Sequence, residues 1–208
     1  MRTNIDVDGF NLYYGALKGT PYRWLNIATL CALLLPNHQI HRIRYFTARI
    51  QSTPTDPSKA QRQQTYLRAL RTIPHLTIHY GHYLARQARM PLVNPPKNGP
   101  RVVEVWRVEE KGSDVNLATY LLLDGFQQDY EQAVIISNDS DLVEPIRVVR
   151  KHLGLSVGVF NPHRKTISRA LQQVASFYRP IREGVLRASQ FPPVLQDAHG
   201  MITKPRGW

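Results

Sequence analysis

The chain has 208 residues, with 27 Lys and Arg against 15 Asp and Glu, a formal charge of +12 and a sequence pI near 10.1. That length suits one well-packed domain, and the single cysteine, Cys31, excludes an internal disulfide framework. No stretch approaches membrane-spanning length and MRTNIDVDGF has no apolar leader core, so a cytoplasmic protein without a membrane partner is expected; the charge points to nucleic acid.

Thr3–Asp8 reads as a short strand, followed by a turn at Gly9 and a polar-aromatic segment to Tyr14. Leu25–Leu35 is apolar and helix-compatible, and Pro36 closes it. Ile40–Ile50 alternates as a strand. Asp56-Pro57 has the form of a helix start, Asp as N-cap and Pro in the first turn, for a helix running to about Thr72. Leu76–Tyr83 is a further strand. Ala85–Pro100 carries four prolines and a glycine without periodicity, so a long loop is expected there.

Val102–Val108 alternates as a strand, and Ser113–Phe126 follows as a helix with Val115, Ala118 and Leu122 as its buried face. Ala133–Ser137 is a buried strand and Ser140–His152 a helix, with Lys151, His152 and Gly154 closing its negative end. Leu155–Phe160 is a strand, Thr166–Val174 a helix and Ser176–Ile181 an edge strand. Residues 1–183 form the folded domain and 184–208 a tail that is partly disordered. Strands alternating with helices imply an α/β fold, a parallel sheet with helices on both faces, whose ligands bind at the carboxyl ends of the strands.

Acid is scarce but clustered at such ends. Between Gly9 and Val103 the only acid is Asp56, set among thirteen Lys and Arg. Asp8, Glu110 with Asp114, and Asp139 with Asp141 each fall where a strand meets a helix. The positive helix end favours ionised carboxylates there, and a hard divalent cation takes such oxygens. Helix capping by Asp139 or Ser140 is the plain alternative. Lys111 either contacts a phosphate or neutralises the acids beside it. Asn11 either serves the site or closes its own Asx turn. No Cys/His spacing supports zinc, and no Gly-rich phosphate loop occurs.

The motifs DGFNLYYG at 8–15, EEKGSDVNLATYLL at 109–122 and SNDSDLVEPIRVVR at 137–150 resemble those of NYN-domain proteins, the bacterial branch of the PIN-like nucleases. The resemblance implies a three-layer α/β/α sandwich with a central, mainly parallel sheet, Rossmann-like in type. It also implies an Mg²⁺- or Mn²⁺-dependent ribonuclease site. By position, Asp8, Asp114, Asp139 and Asp141 match the family's catalytic and metal-binding acids. Asn11 and Ser137 match its supporting polar residues, and Glu110 joins them. Tyr120 stands where many relatives carry another Asp. The resemblance also implies pairing into a homodimer.

An endoribonuclease acting on single-stranded or structured RNA is therefore expected, with Lys111, Arg68, Arg71, Arg86, Arg89, Lys97 and Arg101 holding the RNA backbone. A haloacid-dehalogenase-type phosphatase is the first alternative, because Asp6-Val7-Asp8-Gly9 fits that family's D-x-D-G with Asp6 as nucleophile. A non-catalytic RNA-binding module is the second.

Overall fold

The computed structural model describes residues 1–208, in which strands and helices alternate. Strand β1 (Arg2–Asp8) leads into one turn of helix, α1 (Gly9–Leu12), and a π-helical turn at Tyr13–Leu17. Then come α2 (Ile27–Leu34), β2 (Gln39–Thr47), α3 (Lys59–Leu70) and β3 (Leu76–Tyr80). The hairpin of β4 (His82–Pro91) and β5 (Val102–Lys111) precedes α4 (Ser113–Phe126) and β6 (Gln132–Ile136). A 3₁₀ turn at Ser140–Leu142 opens α5 (Val143–His152), followed by β7 (Ser156–Asn161), α6 (Arg169–Val174) and β8 (Phe177–Pro180). The chain closes with α7 (Glu183–Ala188) and a hairpin of β9 (Val194–Asp197) and β10 (Gly200–Thr203).

Six strands make one sheet in the order β3-β2-β1-β6-β7-β8, every neighbouring pair parallel. Helices cover both faces, which gives the expected α/β/α sandwich. Two cores result. On one face Ile5, Val7, Ile43 and Val134 pack with Leu30, Leu67 and Leu70. On the other, Ile135, Val157 and Val159 pack with Leu117, Leu121, Ile146 and Val149. Because side chains alternate along a strand, Ile5 and Val7 serve the first core while Asn4, Asp6 and Asp8 all point toward α4.

The polar residues on that side form a buried network. Arg44 of β2 pairs with Asp124 of α4 through both guanidinium nitrogens, and Asn4 Nδ2 donates to Asp124 at 3.0 Å and to Asp129 at 2.7 Å. Asp124 therefore lies inside, and the buried stripe of α4 is Ser113, Leu117, Leu121 and Asp124. The expected face of Val115, Ala118 and Leu122 is out of phase with it: Val115 is exposed, since the helix turns its two polar groups inward to meet buried partners.

Three further segments depart from expectation. Ala85–Pro100 is a loop only in its second part: residues 85–91 belong to β4, paired residue for residue with β5 from His82↔Lys111 to Pro91↔Val102, and residues 92–100 connect the two strands. The ladder has no core beneath it, so β4 needs no apolar repeat and lacks the alternation that Val102–Val108 of β5 shows. The Asp56 N-cap is displaced, because α3 starts after Ser58 and Asp56 instead pairs with Arg62. Residues 184–208, expected to be partly disordered, fold back on the domain, with Leu186, Phe191 and Ile202 buried.

Candidate active site at the sheet's switch point

The strand order reverses between β1 and β6, so the connections leaving their carboxyl ends go to opposite faces and a crevice opens between them. Asp8 ends β1, and Ser137 to Asp141 follow β6. The loop into α4 delivers Glu110 and Asp114 to the same place. Gly112 makes that entry possible with a φ of 96°, a left-handed conformation in which other residues are strained. Gly9 answers a different need: a Cβ there would lie 2.8 Å from the Phe46 carbonyl oxygen and 2.7 Å from the Tyr45 ring.

Asp8, Asn11, Glu110, Ser113, Asp114, Asp139 and His163 thus line one pocket, walled by Phe10 and Tyr14. Both oxygens of Asp8 are held, Oδ1 by the Asn11 backbone N–H at 2.9 Å and Oδ2 by the Ser137 hydroxyl at 2.9 Å. Ser137 Oγ in turn accepts from the Asp139 N–H at 3.1 Å, and Asp139 Oδ1 accepts from the Asp141 N–H at 3.0 Å. Asp139 is therefore a cap as well as a pocket wall. Glu110 accepts from the Ser113 N–H at 3.2 Å and from its hydroxyl at 2.7 Å. Asn11 Oδ1 accepts from the Asn138 N–H at 2.9 Å.

Crowding of acids shows in their protonation. Burial pushes the Asp8 carboxyl up to about 7; the Asn11 N–H works against this and the charge on Asp114 adds to it. Asp114 is raised to about 6 by burial and then by the charges of Asp139, Glu110 and Asp141. No three Asp, Glu, His or Cys side chains stand close enough together in this structure to chelate an ion.

Of the anticipated site residues, Asp8, Asn11, Glu110, Asp114 and Asp139 come together in the pocket. Ser137 lies beneath it, fully buried. Asp141 is exposed at the rim, near enough for its charge to act on Asp114. Lys111 is exposed beside the pocket and pairs with Glu109 at 3.3 Å. Arg86, Arg89, Lys97 and Arg101 all belong to the β4–β5 hairpin, an arm whose Tyr83 packs edge-on against Phe10 of the pocket at 6.2 Å. Arg68 and Arg71 lie elsewhere, on α3: Arg68 grips Asp197 with two nitrogens, and Arg71 donates to the Tyr80 hydroxyl at 2.5 Å.

Two residues escaped sequence reasoning. His163 sits in the pocket because it follows the carboxyl end of β7, a position that the switch-point rule would have flagged once the strand order was known. Arg107 of β5 lies directly across from Arg86. Tyr120, by contrast, is no substitute ligand; its ring takes the Arg44 guanidinium at 4.7 Å and packs on His79. Asp6 is only 1% exposed, packed by Arg44 and Asp124 beneath the sheet edge, with Oδ1 unpartnered. Without access to the pocket it cannot act as a phosphatase nucleophile, so the DxDG reading is corrected.

No helix is long and apolar enough to cross a membrane. The chain is 33% identical to the 6-hydroxy-3-succinoylpyridine 3-monooxygenase HspA of Pseudomonas putida (strain DSM 28022 / S16), over 100% of this chain and 75% of that protein. Its fold resembles a protein of unknown function, VPA0982 from Vibrio parahaemolyticus RIMD 2210633, with a TM-score of 0.58 at 13% identity over 88% of this chain and 93% of that one. A family model for the NYN domain matches residues 2–182, the span that carries the sheet and every carboxylate of the pocket, and the chain belongs to the NYN domain family.

Proposed function

We propose that the protein is a metal-dependent endoribonuclease that hydrolyses RNA phosphodiester bonds at the carboxylate pocket. The observation that carries this reading is the convergence of Asp8, Asp114 and Asp139 from three separate junctions at the switch point. Their donors are hard carboxylate oxygens that repel one another, which favours Mg²⁺ or Mn²⁺ among them. Asp8, Asp114 and Asp139 are the residues that would hold the ion. Bound there, such an ion lowers the pKa of water and offsets charge developing on a scissile phosphate.

The chain's own groups do the rest. Ser137 and the Asn11 N–H fix both oxygens of Asp8, so little ordering remains to be done when substrate arrives. Asp141, at the rim, orients the attacking water and accepts its proton at a carboxylate oxygen. Phe10 and Tyr14 form the aromatic side of the pocket. The arm carries Arg86, Arg89, Lys97 and Arg101 as phosphate-binding cations for single-stranded or structured RNA, with Lys111 at its base.

The test is cleavage of labelled single-stranded and hairpin RNA by pure protein with Mn²⁺, Mg²⁺ or chelator, beside an Asp139→Asn preparation. Metal-dependent cleavage that vanishes in the variant is expected. RNA bound but never cut under any metal would overturn catalysis and leave a binding module.

A second reading rests on the relative HspA, named as a monooxygenase of a pyridine compound. It is favoured by that likeness running the whole length of this chain. Incubation with 6-hydroxy-3-succinoylpyridine, dioxygen and a reduced nicotinamide or flavin, followed by mass spectrometry, decides it. A product carrying one added oxygen from dioxygen would establish it; unchanged pyridine would remove it.

A further inference from the structure

Next to the carboxylate pocket lies a second cavity, and the two share Phe10 and Tyr14 as a common wall. It lies between the π-helical turn after α1, β2 and α3, which supply Tyr13, Tyr45 and Tyr66 to its lining. The space leaves about 90 Å³ for the centres of water-sized spheres, well above the roughly 10–15 Å³ that holds a single water. It therefore admits a ligand of several atoms.

Its lining has two parts. Phe10, Tyr13, Tyr14, Tyr45, Tyr66 and Trp208 present aromatic rings. Tyr66 anchors them, with Trp208 at 5.3 Å and Tyr45 at 6.4 Å, and its own hydroxyl donates to the Leu25 carbonyl at 2.9 Å. The polar part holds the cations Arg23, Lys59 and Arg62 beside the neutral Thr47 and Gln63, with no Asp or Glu in the lining. Arg62 is paired with Asp56. Arg23 donates only to the Thr20 and Gly207 carbonyls, neutral acceptors that leave its charge uncompensated. Apolar rings with cations at one side suit a flat ring through stacking and its negative substituent through charge-assisted hydrogen bonds.

We propose that this cavity is a binding site for a planar aromatic ring that carries an anionic group. Stacking against the tyrosines orients the ring, Arg23 and Lys59 take the anion, and the shared wall of Phe10 and Tyr14 sets the ligand beside the carboxylates. Two sources supply that chemistry: a nucleotide, free or within an RNA chain, and a free heteroaromatic acid. The proposal stands apart from the reaction assigned to the carboxylates, because it concerns binding alone.

Tryptophan fluorescence of the full chain reads binding directly, since Trp208 lines the cavity and only two other tryptophans are present. The probes are uridine 5′-monophosphate and pyridine-3-carboxylate, each with a matched control: uridine and ribose 5-phosphate for the first, pyridine and succinate for the second. Saturable quenching by a ring bearing an anion, at least tenfold tighter than by ring or anion alone, is expected. Lys59→Gln should weaken that binding about tenfold, the scale of one charge-assisted hydrogen bond, while leaving the ring-only controls unchanged. Ile50→Phe enlarges a half-buried loop side chain into the cavity without removing a core side chain or adding a tryptophan, and should abolish binding. Tighter binding of the mononucleotide assigns the nucleotide source; tighter binding of the pyridine acid assigns the free acid. No saturable binding by either anionic ring, equal binding of ring-only controls, or unchanged binding in a folded Ile50→Phe protein would each overturn the proposal.

Discussion

Asn11 Oδ1 lies 3.1 Å from His163 Nε2 while accepting at 2.9 Å from the backbone N–H of Asn138. A backbone N–H can only donate, so the oxygen of the carboxamide must face it, and His163 Nε2 must then carry a proton. One side chain thus ties the turn after β1 to the connections that follow β6 and β7, and it sets the histidine tautomer. Asn11→Ala should cost about 1 kcal/mol of stability, the scale of an ordinary hydrogen bond, because both partners are only half-buried and water can replace the lost contacts. It should also release the tautomer. Nitrogen chemical shifts of the His163 ring report the second effect; an unchanged Nε2–H form in the variant would refute the assignment.

Asp6, Asp8 and Asp114 share a pH consequence. Burial raises Asp6 and Asp8 to about 7, and Asp114 to about 6, from an ordinary 3.8. A carboxyl raised on folding binds more protons in the native state, so its contribution is fully present below the ordinary value and is lost as pH rises through the raised one. In chelator, denaturant stability should fall between about pH 4 and pH 7 on account of these groups. Asp6→Asn should flatten the profile and spare RNA cleavage. A profile as steep as that of the parent would show that Asp6 ionises normally.

The Arg44–Asp124 pair beneath the site is almost wholly buried, with side-chain exposures of 7% and 2%. Removing one partner of such a pair costs about 3–5 kcal/mol, because the other charge stays behind. Asp124→Ala should fall toward the low end, since Asp6 lies near enough to Arg44 to ionise and take over as counter-ion. Asp124→Ala combined with Asp6→Asn should then lose more than the sum of the two single changes. Equilibrium unfolding of the four proteins completes the cycle, and strict additivity would deny the exchange of partners.

Arm and body cations separate cleanly. Replacing Arg86, Arg89, Lys97 and Arg101 together with Gln should weaken RNA binding and lower the salt slope by about 0.7 for each phosphate no longer neutralised. Arg68→Gln should leave RNA affinity alone, because its guanidinium is already committed to Asp197, and should lower the melting temperature instead. Filter binding across a salt series distinguishes the two; an unchanged slope in the arm variant would move the RNA elsewhere.

What was legible in the chain was local. Acid placed within a few residues of a strand end, beside a turn glycine or a serine, marks a junction without any knowledge of its neighbours: Asp8 with Gly9, Asp114 with Gly112 and Ser113, and Asp139 with Ser140. The helix Ser113–Phe126 was legible in extent but not in phase, because Asp124 and Ser113 are buried against Arg44 and Glu110, partners 80 and 3 residues away. His163 was missed for the same reason: its role depends on Asn11, 152 residues upstream. The arm's second strand was legible from its alternation at Val102–Val108, but its first strand and the folded tail eluded composition-based reading, because each is held by pairing or by a few isolated apolar side chains such as Ile202 rather than by a repeating pattern.

Every ladder partner of the β4–β5 arm lies within the arm itself. Its length can therefore change by whole cross-strand pairs without disturbing any register in the six-stranded sheet that positions Asp8 and Asp139. Reach and chemistry are separate heritable traits in such a molecule: the arm can drift to suit a new target while the crevice stays as it is.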